Sequence, residues 1–88
     1  MLEKKIMVQN KLGLHARAAS SFVQAASEFT AEVFVAKDGL WVNGKDIVEL
    51  MTLAALKNTR IVVRANGEDE REALEHLCNL IGNKFGED

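Results

Sequence analysis

Residues 31–43 read Ala-Glu-Val-Phe-Val-Ala-Lys-Asp-Gly-Leu-Trp-Val-Asn, and this stretch decides the fold. Residues 31–37 and 40–43 are two strand-like runs. Asp38-Gly39 between them is a two-residue hairpin signal, because glycine readily takes the positive φ that such turns require. An antiparallel ribbon therefore sits near the middle of the chain, and the rest of the fold is built around it.

Upstream, residues 2–8 (Leu-Glu-Lys-Lys-Ile-Met-Val) read as a first strand with Ile6 and Val8 on one face, broken by Gln9-Asn10-Lys11. From Ala16 the period changes. Ala19, Phe22, Val23 and Ala26 fall at i, i+3, i+4 and i+7, one buried helical face in an alanine-rich stretch that predicts a helix to about Ser27. Downstream, Asp46 is placed as an N-cap, with Glu49 at the glutamate position of a capping box, so a short helix is expected over Ile47 to about Leu53. Ile61-Val62-Val63 is a β-branched fourth strand ended by Asn66-Gly67. Asp69 and Glu72 suggest a further cap. Ala73, Leu74, Leu77, Cys78, Ile81 and Phe85 trace the stripe of a last helix of about four turns.

The order is βαββαβα. Four strands and three amphipathic helices are most economically one sheet with every helix on one face, an α+β fold. With 88 residues the chain is expected to be a single domain over 1–88. A net charge of −2 disfavours a general nucleic-acid-binding surface. No apolar run is long enough to span a membrane, and the opening residues read as a strand and not as a signal peptide. The one cysteine, Cys78, cannot form an internal disulfide, which fits a cytoplasmic setting; it lies on the last helix's stripe and is expected to be buried. No His/Cys cluster has metal-ligand spacing, so neither a metal nor another cofactor is expected.

The chemistry concentrates in Gly13-Leu14-His15-Ala16-Arg17-Ala18-Ala19-Ser20. A histidine sits where a loop becomes a helix, with an arginine two residues on. First-turn amides and the positive end of the helix dipole favour an anion there and disfavour imidazolium, leaving a neutral ring with a lone pair for attack on phosphorus. The backbone amides of Ala16, Arg17 and Ala18 and the Arg17 guanidinium would receive phosphoryl oxygens. Gly13 leaves room for a partner's phosphorylated residue and permits a tight turn into the helix. A histidine that merely caps a helix, beside a solvated arginine, is the plainer reading, and local physics leaves the two about even.

The Gly13-Leu14-His15-Ala16-Arg17 segment resembles the phosphorylation motif of the HPr family of the phosphoenolpyruvate-dependent phosphotransferase system. The similarity continues through Phe22-Val23, Phe29, Val42-Asn43-Gly44-Lys45, Leu50-Met51-Thr52-Leu53 and Gly67-Glu68-Asp69-Glu70. It implies an open-faced β-sandwich with a four-stranded antiparallel sheet covered by three helices. It implies a phosphocarrier rather than an enzyme: His15 would take a phosphoryl group on Nδ1 from Enzyme I and pass it to a IIA domain for sugar uptake or regulation, with Arg17 stabilising the group. The alternative is a regulatory binding module of the same fold that is never phosphorylated. A monomer is the default expectation.

Three departures stand out. Ala18 occupies a position where the family usually has proline. Asp46 occupies one where many relatives have a regulatory serine, and it has no hydroxyl for a kinase; its fixed charge would imitate a phosphoserine only in part. No Lys or Arg occurs between Arg17 and Lys37, so steering would fall to Lys11 and Lys45. Docking is then expected on a small apolar patch of Ala16, Ser20, Ile47, Val48 and Met51, with Ile47 the member most open to being core instead.

Overall fold

In the computed structural model, which describes residues 1–87, the central hairpin forms as its sequence indicates. Strands β2 (Glu32–Lys37) and β3 (Leu40–Asn43) pair antiparallel, with Lys37 opposite Leu40. Asp38 (φ 52°) and Gly39 (φ 82°) both take left-handed backbone, as a tight turn matched to strand twist requires. The other elements are β1 (Leu2–Met7), α1 (Ala16–Ala26), α2 (Ile47–Thr52), β4 (Arg60–Asn66) and α3 (Glu70–Gly82). The sheet order is β1-β4-β2-β3, and every neighbouring pair is antiparallel.

One face of the sheet carries the core. Val33, Val35, Val42, Ile61 and Val63 are buried beneath Ala19, Phe22 and Ala26 of α1, Leu50 of α2, and Leu77 and Ile81 of α3. The pleat sends their neighbours to the opposite, uncovered face. There the Arg64 guanidinium lies 3.9 Å from the centre of the Trp41 ring and pairs with Glu3 at 2.7 Å. Trp41 thus packs on its neighbours while remaining part-exposed.

Three local expectations need correction. Glu49 does not reach back to close a capping box; its carboxylate accepts from the Asn43 amide at 2.9 Å, while Asp46 alone caps α2 through Val48 N (3.0 Å) and Glu49 N (3.1 Å). Asp69 stands at the N-terminus of α3 but makes no side-chain cap; it accepts from the amides of Thr30 and Ala31 at 2.9 and 2.8 Å. Those two bonds tie α3 to the segment entering β2 and hold the Asp69 carboxyl below the usual carboxylate range. Finally, α3 stops at Gly82. Lys84, Phe85 and Gly86 all have positive φ (58°, 56°, 76°), so Phe85 reaches the core through a left-handed turn, not by continuing the helix.

Candidate functional site

His15 occupies the N-cap position of α1 with extended backbone (φ −75°, ψ 179°). Its carbonyl accepts the first helical bond, from Ala19 N at 2.8 Å. Its side chain caps nothing, and the first turn contains no acidic residue. The leading amides of α1 therefore face a region where no carboxylate of the helix competes for them, which suits an incoming anion.

The lead-in is fixed from both sides. Leu14 N donates to Ala55 O at 2.8 Å, tying the segment to the stretch after α2. Gly13 has φ 66°, and a Cβ there would stand 2.4 Å from Ala55 O and 2.8 Å from Leu56 Cα. The positive φ agrees with the tight turn expected of Gly13, but its other expected role needs correction. It is buried against residues 55–56, so its missing side chain serves close backbone packing and not clearance for a partner.

His15 lines an open cleft with Lys11, Leu12, Ala16, Arg17, Gly86 and Glu87. The histidine and arginine singled out in the sequence are thus brought together. Ala16 and Arg17 are exposed at the mouth, whereas Ala18 is fully buried beneath the helix start and offers only its backbone. Among the described residues Arg17 has no ion-pair partner.

Two members of the site carried no signal in the sequence. Glu87 Oε2 lies 2.7 Å from His15 Nε2, and Glu87 Oε1 accepts from Asn10 Nδ2 at 3.1 Å. The same Nδ2 donates to Gly13 O at 2.6 Å. The bonds from Asn10 and then His15 hold the Glu87 carboxyl below the usual carboxylate range. The sequence indicated the helix start beside the ring but not this carboxylate.

The docking candidates form a surface beside this cleft. Ile47, Val48 and Met51 are exposed on α2, Val48 most of all at 68%, so Ile47 is not core. Ser20 is part-buried. Met51 shares a groove with His15, Leu12 and Leu56, and the last two are exposed apolar residues that periodicity could not flag because both lie in loops. Of the two basic candidates, Lys11 lies on the cleft, but Lys45 is committed to Phe29 O at 2.7 Å. Elsewhere, His76 is exposed and packs on Phe29 (ring centres 5.7 Å apart), while burial pushes the Cys78 thiol up. Among the described residues no His/Cys/Asp/Glu group could hold a metal, and no helix is long and apolar enough to cross a membrane.

Known proteins agree with this geometry. Residues 2–83 match the family model described as the PTS HPr component phosphorylation site. The chain is 52% identical over 87 residues to the phosphocarrier protein HPr of Neisseria meningitidis, covering 99% of this chain and 98% of that one. It is 51% identical over 81 residues to the HPr-like protein Crh of Bacillus subtilis, covering 92% and 95%. The crystal structure of HPr from Thermoanaerobacter tengcongensis superposes with a TM-score of 0.97 at 44% identity, covering 100% and 99% of the two chains. A small α+β protein with a histidine and an arginine at one helix start is thus placed in its class, that of phosphoryl carriers. The chain belongs to the HPr family of the phosphotransferase system, whose members carry phosphoryl groups and are not catalytic enzymes.

Proposed function

We propose that His15 is the phosphoryl acceptor, taking the group on Nδ1 from Enzyme I and passing it to a IIA domain, for sugar uptake or its regulation. The observation that carries this is the uncapped start of α1: an N-cap histidine beside leading amides and an arginine on the same cleft. The amides of Ala16, Arg17 and Ala18 and the Arg17 guanidinium would hold the phosphoryl oxygens by charge-assisted bonds. Brief transfer encounters suit a modest interface, and Ser20, Ile47, Val48 and Met51, extended by Leu12 and Leu56, supply an apolar one. The protein would work in the cytoplasm as a single-domain monomer without a cofactor. Asp46 caps α2 in place of a serine, so serine-kinase control does not operate at that position.

The resemblance to Crh keeps a second reading in play, a regulatory module that binds partners without being phosphorylated. Incubation with phosphoenolpyruvate and Enzyme I, followed by intact-mass measurement, separates the two. The carrier gains one acid-labile phosphoryl group, and His15→Ala gains none. A wild-type protein that stays unmodified favours the binding module.

A further inference from the structure

We infer that Glu87 and Asn10 form an orienting clamp that sets which ring nitrogen of His15 carries the proton. The inference deepens the reading of His15 as acceptor and rests on it.

The chain of contacts begins at a backbone atom. Gly13 O can only accept, so the Asn10 amide must present its NH₂ there. The remaining hydrogen of that NH₂ is directed to Glu87 Oε1. Turning the amide over would set Asn10 Oδ1 against Gly13 O, acceptor against acceptor. The orientation is therefore locked, and Asn10 is fully buried in it, with Oδ1 finding no hydrogen-bond partner among the described residues. A buried unpaired acceptor is costly, and cores seldom retain one without a return elsewhere. Here the return is the placement of the Glu87 carboxylate.

An ionised carboxylate has only acceptors to offer. Its approach to His15 Nε2 at 2.7 Å requires that Nε2 carry the hydrogen. The neutral ring then has its lone pair on Nδ1, the atom that must attack phosphorus. In the transfer step the Nδ1 pair forms the P–N bond as phosphorus parts from the donor's leaving atom, which keeps the electron pair. The Nε2 proton stays in place, and the ring becomes a cation facing the Glu87 carboxylate. In onward transfer the P–N bond breaks, its pair returns to Nδ1, and a neutral ring is regenerated without any proton having moved. Lys11 and Arg17 are the other charged groups on the cleft, and neither can accept the Nε2 hydrogen. Glu87 touches neither reacting atom, so it is a positioning residue.

The test uses the full chain as wild type, Glu87→Ala and Glu87→Gln. In Glu87→Gln the locked Asn10 still donates toward the side-chain oxygen. The new NH₂ is then turned toward His15 Nε2, which favours the wrong tautomer; the analogous change in a catalytic triad is severely damaging. Nitrogen-15 spectra of the neutral, unphosphorylated ring should show hydrogen on Nε2 in wild type and a shift toward Nδ1–H in Glu87→Gln. Single-turnover acceptance from phospho-Enzyme I should fall roughly 10- to 100-fold in Glu87→Gln, the range seen when groups that orient a metal-ligating histidine are lost. Glu87→Ala should fall between Glu87→Gln and wild type. A merely structural contact gives the reverse order, since glutamine preserves shape and alanine does not. Unchanged ring spectra, or Glu87→Gln accepting as fast as Glu87→Ala or faster, overturn the clamp. A wild-type protein that takes up no phosphoryl group overturns the acceptor assignment instead, while the ring spectra still report on the clamp.

Discussion

Replacing Gly13 by alanine tests how the reactive segment is held. Gly13 has φ 66°, and left-handed backbone costs a residue with a side chain ~1–2 kcal/mol. The new Cβ would also lie 2.4 Å from Ala55 O and 2.8 Å from Leu56 Cα. Both are backbone atoms, so no flexible side chain can yield. Forcing such a contact open adds ~1–3 kcal/mol. For a domain of this size each kcal/mol moves Tm by about 4–8 °C, so a fall of about 8–40 °C is expected. Gly39→Ala is the matched control: its φ is 82°, yet nothing lies within 4 Å of the added Cβ. It should lose only the conformational part, ~1–2 kcal/mol. Urea unfolding of the three proteins at neutral pH gives both differences directly. Because Ala55 O also receives Leu14 N, Gly13→Ala should slow phosphoryl acceptance as well, and Gly39→Ala should not. Equal destabilisation by the two substitutions would refute the close-packing account of Gly13.

Other expectations concern single groups. Asp46→Ala removes both bonds to the start of α2 and should cost about 1 kcal/mol in urea unfolding, with Asp46→Ser recovering most of it because serine also caps well. The folded-state pKa of Asp69 is depressed, so its stabilising effect is complete above the unfolded value near 3.8 and is lost as pH falls through the lower folded value. The unfolding midpoint should therefore drop in that acid range, and Asp69→Asn should be less stable than wild type at neutral pH with a flatter acid limb. Phe22→Ala empties a fully buried site under α1 and should cost ~3–5 kcal/mol by the same unfolding measurement. Ala18→Pro restores the family's usual residue in the first turn, where proline is tolerated; acceptance rates within a few fold of wild type are expected, and a large gain would show that alanine there limits the transfer.

What was legible in the sequence followed from local rules. The Asp38-Gly39 turn, the α1 face through Phe22 and the Asp46 cap each depend on residues close along the chain, and each took the expected form. The antiparallel sheet with helices on one face followed from element order together with the family resemblance. The polar contacts that were missed join distant segments. Asp69 bonds the amides of Thr30 and Ala31, 39 and 38 residues away, and Glu87 meets His15 across 72 residues. No periodicity or spacing encodes such partners. Phe85 illustrates a different limit. Its spacing from Ile81 fits a helix, but consecutive left-handed residues after Asn83 bury the same side chain by another route. At the site, His15 and Arg17 were evident from type and position. Gly13 was recognised for the tight turn that its φ of 66° fits, but its close packing was missed, because the backbone of residues 55–56 that crowds it comes from the far side of α2.

The central claim is that Nδ1 of His15 carries the phosphoryl group, and nitrogen-15 and phosphorus-31 spectra of the protein after reaction with phosphoenolpyruvate and Enzyme I test it most directly. A single phosphoramidate signal coupled to Nδ1 of His15, absent from His15→Ala and retained in His76→Ala, is the predicted result. Phosphorus on Nε2, on His76 or on no residue of the wild-type protein would contradict it.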